Sequence, residues 1–285
     1  MIKKVSIVVK SNDEALLASR RLTEWLSQQG ILVQTYESVG ETKSWFASPE
    51  DFSTDTDLVV VLGGDGTLLS AARHVQGVAI PILAVNMGRM GFITEVGLDQ
   101  LYTMLESVLS GNYLTETRLA LKGTVFRDEK EMNTCKVLND VVINKGALAR
   151  IIDMCTYVNG EFLNVFRADG LIVSTPTGST AYNMAAGGPI LHPGNESIVL
   201  TPICPFMLTN RPIILPAGSI IEIEIGPDAT DVILTYDGQV GFDLNPGDIV
   251  RVERSETGVC LIKSSSRSYF EILRNKLKWG DANGD

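Results

Sequence analysis

Val61-Leu62-Gly63-Gly64-Asp65-Gly66-Thr67 decides how this chain is read. The apolar run Leu58 to Leu62 predicts a buried strand, and a helical pattern runs from about Thr67 to Val75. Between them three glycines surround one carboxylate. Glycine lets backbone N–H groups approach a phosphate closely, and a helix N-terminus favours negative charge. An aspartate there repels phosphate, so it must serve a metal ion or a hydroxyl proton. That combination points to phosphoryl transfer to an alcohol. The plainer alternative is a tight strand-to-helix turn with Asp65 as a helix cap. The preceding strand and the doubled glycine favour the functional reading.

Outward from this turn, the first third alternates strand and helix. Val5–Val9 reads as a strand. Ser11 and Glu14 have capping-box spacing ahead of a helix whose apolar face carries Ala15, Ala18, Leu22, Trp25 and Leu26 and which stops at Gly30. Ile31–Tyr36 and Ile80–Val85 read as further strands, the latter despite Pro81, and Leu98–Ser110 reads as a helix. Strands spaced by helices predict a parallel, layered α/β sheet.

After Gly111 the pattern changes to short strands: Leu119–Phe126, Val137–Ile143, Ile151–Val158, Phe162–Phe166, Leu171–Val173, Ile220–Ile225, Val232–Tyr236, Gln239–Leu244, Ile249–Val252 and Val259–Ile262. Asn159-Gly160 and Asp237-Gly238 are hairpin signals, and the alternation in 221–225 leaves one face wet. The expectation is α/β plus all-β. An N-terminal layered nucleotide-binding domain spans 1–114, and a β-sandwich spans 115–265. A helical tail, Tyr269 to Trp279 within 266–285, returns to the first domain. A length of 285 residues fits two domains.

Composition narrows the function. A net charge of −10 argues against nucleic-acid or anionic-membrane partners, which need a basic surface. The four cysteines are widely separated with no C-x-x-C, so neither a zinc knuckle nor a redox pair is indicated. Two histidines exclude a multi-histidine zinc site; His74 and His192 read as structural. There is no G-x-S-x-G elbow and no Walker A motif, and Val5–Val9 is not followed by G-x-G-x-x-G. The apolar N-terminal run ends at Val9, too short for a signal peptide, and no stretch reaches membrane-spanning length. A reducing cytoplasm is the expected compartment.

A second unusual cluster follows Arg167-Ala168-Asp169-Gly170. The run from Ser174 to Pro189, Ser-Thr-Pro-Thr-Gly-Ser-Thr-Ala-Tyr-Asn-Met-Ala-Ala-Gly-Gly-Pro, is rich in hydroxyls and glycine. It suits a sugar, amide or phosphate approaching the backbone, with Tyr182 able to stack on a base; the alternative is a long connection with turn residues. Asn139-Asp140 interrupts an apolar strand, and a buried member of that pair needs partners.

Taken together, Gly63-Gly64-Asp65-Gly66-Thr67, Asn139-Asp140 and Asp169 to Pro189 resemble the NAD kinase family, with Thr209-Asn210-Arg211-Pro212 and Asp237-Gly238-Gln239 extending the match. The glycine–aspartate turn alone is shared with lipid kinases and phosphofructokinases. The resemblance implies transfer of the terminal phosphate of ATP, in some members polyphosphate, to the 2′-hydroxyl of the adenosine ribose of NAD, giving NADP. It implies Mg²⁺ with ATP, NAD and ATP as small-molecule partners, and a homodimer or homotetramer. A diacylglycerol-type lipid kinase and a non-catalytic NADP sensor are the alternatives. The chain departs from the family at Asp140, where glutamate is commoner, and at Phe206, where several members have histidine.

The resemblance also implies residue roles. Asp65 accepts the ribose hydroxyl proton or holds Mg²⁺ between phosphates. Gly63, Gly64, Gly66 and Thr67 admit the phosphates, and Thr67 caps the helix or touches a phosphate. Asn139 and Asp140 hold the dinucleotide, Asp65 and Gly66 also touching it. Asp169 and Thr180, Ala181, Tyr182, Asn183, Met184 and Ala185 line its base and sugar pockets. Gln239 closes the site, and Arg150 and Arg167 balance phosphate charge.

Overall fold

The computed structural model describes residues 2–38, 55–75, 80–88, 90–147, 150–263 and 268–279. The chain divides into two compact units, the second spanning Arg118–Gly258 and the first built from the flanking segments, including Val259–Asp285.

The first unit begins with β1 (Lys4–Lys10), α1 (Asp13–Gln28), β2 (Leu32–Ser38), β3 (Leu58–Gly63), α2 (Asp65–His74) and β4 (Ile82–Asn86). The short β5 (Val96–Gly97), a 3₁₀ turn (Leu98–Gln100), α3 (Leu101–Leu109) and β6 (Thr115–Arg118) follow. β3 is central and buried along its whole length, which is why its sequence is a continuous apolar run rather than an alternating one. β1 pairs in parallel with β2 and β3, and β3 in parallel with β4. Helix α1 packs Ala15, Leu22 and Leu26 inward, and Trp25 meets Tyr102 of α3 edge to face at 5.4 Å. Its N-cap is Asn12, whose side-chain oxygen accepts from the Ala15 amide at 2.9 Å, and not Ser11 as the capping-box spacing predicts. Asn12 is the extended residue whose side chain reaches the N3 position. The helix read over Leu98–Ser110 splits into the 3₁₀ turn and α3. β4 starts one residue after Pro81, which has no N–H to give the ladder but whose carbonyl accepts from Val59.

The second unit holds β7 (Leu121–Arg127), β8 (Lys130–Val137), β9 (Asp140–Lys145), β10 (Ile152–Val158), β11 (Glu161–Ala168) and β12 (Gly170–Ser174). A 3₁₀ turn (Gly178–Thr180) and the single-turn α4 (Tyr182–Ala185) lead to β13 (Ser197–Ile203), β14 (Ile213–Pro216) and β15 (Ile221–Ile225). β16 (Val232–Tyr236), β17 (Val240–Leu244) and β18 (Ile249–Arg254) complete it. They form two antiparallel six-stranded sheets, ordered β11-β10-β15-β18-β7-β8 and β14-β13-β12-β9-β16-β17. Leu121, Val125, Met154, Phe166, Val173, Leu200, Ile223 and Tyr236 belong to one shared core. The hairpins at Asn159-Gly160 and Asp237-Gly238 have positive φ at both residues, as type I′ turns require. β7 and β8 are joined by Asp128-Glu129, also at positive φ but without glycine, so this hairpin carries no readable turn signal. The single strand read over Val137–Ile143 is two: β8 ends at Val137 in one sheet and β9 begins at Asp140 in the other. Leu138-Asn139 is the corner between them.

The strand Val259–Ile262 (β19) departs from the sandwich assignment. It lies between β4 and β6 in the first unit's sheet, pairing in parallel with β4. Its short apolar run looks the same in either sheet; the parallel partner decides. α5 (Tyr269–Leu277), capped by a Ser268–Glu271 capping box, belongs to the same unit, where the Lys276 ammonium lies 5.9 Å from the Phe92 ring centre.

Tyr236 is fully buried in the sandwich core, and Gly123 makes room for its ring, since a Cβ there would stand 2.7 Å from Cε1. Among the described residues its hydroxyl has no hydrogen-bond partner. A buried unsatisfied polar group costs about 1–3 kcal/mol. Tyr236→Phe should therefore raise the urea midpoint by the equivalent of about 1 kcal/mol with an unchanged slope.

Candidate functional site

Each unit carries one constellation. In the first, β3 ends at Gly63, the extended Gly64 is the N-cap, and Asp65 is the first residue of α2. Asp65 therefore does not cap the helix. Its side chain turns to the segment after β4, where Oδ2 accepts from the Phe92 amide at 2.7 Å. Oδ1 accepts from the amides of Ile93 (3.3 Å) and Thr94 (3.1 Å) and from the Thr94 hydroxyl (2.9 Å). Gly91 must be glycine, because a Cβ there would fall 1.8 Å from Asp65 Oδ1. Thr67 makes no side-chain capping bond; its buried side chain fills the space beside Gly63, where a Cβ would stand 2.3 Å from Oγ1. At the helix N-terminus Gly64 is half-buried and Gly66 is exposed. A cavity of about 290 Å³ in this unit is lined by Asn86, Met87, Gly88 and Met90 together with Glu14 and Leu98. Sequence reading gave no role to Asn86 or to 91–94; a lone Asn or Thr in an apolar stretch carries no signal of its own.

In the second unit the corner between β8 and β9 is held by Asp237. Its Oδ2 accepts from the Leu138 amide (3.1 Å), and its Oδ1 from those of Asn139 (2.7 Å) and Asp140 (3.2 Å). Thr175 binds the same corner: its amide donates to the Asn139 carbonyl and its hydroxyl to the Leu138 carbonyl. Gly178 packs backbone to backbone on Asn139, leaving only 2.2 Å between a would-be Cβ and the Asn139 carbonyl oxygen. These contacts shape a cavity of about 470 Å³ lined by Asn139, Asp140, Val142, Asn144, Ala181, Tyr182, Thr235, Asp237 and Gly238. Asn139 Oδ1 is buried and has no partner among the described residues. Asp140 is almost completely buried, and burial, then the neighbouring Asp237 carboxylate, push its carboxyl up to about 7.

The cavity gathers Asn139, Asp140, Ala181 and Tyr182 of the expected residues, and adds Asp237, Asn144 and Thr235. Asn183 differs from expectation. It is fully buried, its Nδ2 donates to the carbonyls of Ser179 and Pro189, and its Oδ1 accepts from the Thr201 hydroxyl. Both ends of its carboxamide are committed, to the loop and to Thr201 of β13, so its side chain pins the loop rather than facing a ligand. Thr180 is likewise buried and donates to the Thr177 carbonyl. Arg167 is exposed beside Asp153 and the Phe206 ring, 5.4 Å from the ring centre, and Arg150 is exposed. Asp169 faces Lys145 at 3.8 Å, and Met184, Ala185 and Gln239 sit at or near the surface. None of these lines the cavity.

The raised Asp140 carboxyl has a measurable signature. Between about pH 4, where an unfolded aspartate ionises, and about 7, the folded protein keeps a proton that the unfolded chain releases. Stability contributed by this group is complete below that window and is lost as pH rises through it. Asp140→Asn removes the slope, so urea midpoints from pH 4.5 to 7.5 should fall more steeply for the wild type than for the variant.

Two family models match the chain: "ATP-NAD kinase N-terminal domain" over residues 5–113 and "ATP-NAD kinase C-terminal domain" over 138–264. An NAD kinase from Syntrophobacter fumaroxidans is 49% identical over 284 residues, covering 99% of this chain and 100% of that protein. One from Geobacter metallireducens is 50% identical over 283 residues, covering 98% and 100%. Among solved structures, an NAD kinase from Archaeoglobus fulgidus in complex with ATP has a TM-score of 0.75 at 25% identity, covering 96% of this chain and 98% of that one. Yeast NADH kinase complexed with NADH has a TM-score of 0.83 at 24% identity, covering 100% and 90%, a likeness of fold.

Proposed function

We infer the function from the premise that this chain belongs to the NAD kinase family. It is a phosphotransferase that phosphorylates NAD. Neither a lipid kinase nor a non-catalytic NADP sensor draws support from these relatives.

The residue roles are our reading, and the Asp65 cradle carries it. A ribose hydroxyl is a weak nucleophile and needs a positioned proton acceptor. Asp65 is fixed by four hydrogen bonds at the N-terminus of a ten-residue helix, beside three glycines. Gly63, Gly64, Gly66 and Thr67 receive the ATP phosphates, aided by the dipole of α2. The Asp65 carboxylate accepts the proton of the 2′-hydroxyl as its oxygen bonds to phosphorus and the bond to the leaving nucleoside diphosphate breaks. Among the described residues no group of three His, Cys, Asp or Glu side chains gathers to hold a metal. That donor set suits Mg²⁺ carried by the nucleotide's own phosphates and water. When bound it neutralises phosphate charge.

The cavity of the second unit takes the dinucleotide. Asp140 accepts from ribose hydroxyls, the unpartnered Asn139 oxygen accepts a further donor, and Tyr182 covers a base. Asp169, Met184, Ala185 and Gln239 extend the contact, with Arg150 and Arg167 near its phosphates. A homodimer or homotetramer is the assembly we propose. Among the described residues no helix is long and apolar enough to cross a membrane. The four cysteines are free thiols, which fits a reducing cytoplasm.

Incubated with NAD, ATP and Mg²⁺, the protein should form NADP. Asp65→Asn should lower kcat by about 10²- to 10⁴-fold, the usual worth of a general base, with NAD affinity kept. NADP formation by that variant at the wild-type rate removes Asp65 from the chemistry. Hydroxyl donors favour the charged form of Asp140, so NAD binding near pH 6.5 should release protons. Calorimetry in buffers of different ionisation enthalpy reads this release, and Asp140→Asn should abolish it.

A further inference from the structure

The hydrogen bonds around Asp65 form a chain with a fixed direction. The Gly88 amide donates to Asn86 Oδ1 at 2.7 Å, which sets the orientation of the Asn86 carboxamide. Asn86 Nδ2 therefore points the other way and donates to Thr94 Oγ1 at 2.8 Å. A hydroxyl has one proton. With Asn86 donating to its oxygen, Thr94 sends that proton to Asp65 Oδ1, 2.9 Å away. The chain is buried: Thr94 is 0% and Asn86 6% exposed. It is also anchored in the sheet, since Asn86 is the last residue of β4 and lies in register with Gly63 of β3.

The result is an asymmetric carboxylate. Oδ1 accepts three hydrogen bonds and Oδ2 one. A carboxylate oxygen has two in-plane lone-pair directions, so Oδ1 is saturated and Oδ2 keeps one direction for an incoming proton. We propose that Thr94, oriented by Asn86, is a positioning residue that saturates Asp65 Oδ1 and thereby selects Oδ2 as the atom that takes the substrate hydroxyl's proton. This rests on the reading of Asp65 as the proton acceptor. Positioning of this kind acts in the transition state more than in binding, so its loss should appear in kcat and not in KM.

The test is steady-state kinetics for NAD and ATP on four purified variants beside the wild type. Thr94→Val keeps the shape and removes the hydroxyl. Thr94→Ser keeps the hydroxyl. Asn86→Asp replaces the donor to Thr94 by an acceptor, which draws the Thr94 proton away from Asp65 while leaving Thr94 in place. Asp65→Asn reports on the underlying reading. Thr94→Val and Asn86→Asp should each lower kcat by about 10- to 100-fold with both KM values within about twofold, and Thr94→Ser should recover most of the loss. A wild-type kcat in Thr94→Val or Asn86→Asp, a loss confined to KM, or no recovery in Thr94→Ser overturns the proposal. If Thr94→Val does not fold, Asn86→Asp decides by the same kcat criterion. Turnover retained by Asp65→Asn overturns the proton-acceptor reading itself. An inactive Asp65→Asn beside a fully active Thr94→Val overturns the positioning role alone.

Discussion

A carboxylate that accepts hydrogen bonds from three consecutive backbone amides is the constraint on which both constellations depend. Asp65 takes the amides of Phe92, Ile93 and Thr94; Asp237 takes those of Leu138, Asn139 and Asp140. Asp65 joins two segments that no ladder connects, and Asp237 extends the β9–β16 ladder around the corner that precedes β9. Hydrogen bonds to a charged group contribute about 1.5–3 kcal/mol apiece, and leaving the donors bare inside the protein costs as much again. The aspartates are thus structural keystones as well as chemical groups. Removing either one changes the backbone of the site, not only its charge.

The two carboxylates at the β8–β9 corner divide their tasks. Asp237 spends its oxygens on the backbone, while Asp140, nearly dry and close to Asp237, holds a proton up to about pH 7. In the binding mode we propose, a ribose diol meets there an acceptor that becomes charged as it is satisfied. The adjoining Asn139 oxygen, buried and unpartnered, is a second local cost that a ligand donor offsets. The cavity wall is therefore strained in polarity while its frame is bonded: Thr175, Ser179 and Asn183 tie the loop that follows β12 to itself, to the β8–β9 corner and to β13.

Much of this was legible in the sequence because it rests on local rules. A continuous apolar run ending in Gly-Gly-Asp-Gly marks a buried strand running into a helix, and Asn159-Gly160 and Asp237-Gly238 mark hairpins, since each motif reports backbone geometry that few other residues adopt. The hydroxyl- and glycine-rich stretch after β12 read as a connection between strands suited to a ligand, because its composition allows close approach to the backbone. β8 was not legible: it is a polar edge strand entered through Asp128-Glu129, a positive-φ turn without glycine. Nor were β13 and β14, the former carrying Pro202 within an otherwise apolar run.

What the sequence by itself determined is the fold class, the glycine turn around Asp65 and the polar pair Asn139-Asp140, because periodicity, glycine placement and isolated polar residues act within a few positions of themselves. Tertiary structure decided which partners these residues meet. β19 could pair in either sheet and lies beside β4; Asn183 sits in a loop suited to ligands yet spends its amide on that loop; Thr94 and Asn86 look ordinary until folding places them against Asp65. Hydrogen bonds between residues far apart in the chain leave no periodic trace, so only the folded chain reveals which oxygen of Asp65 remains open.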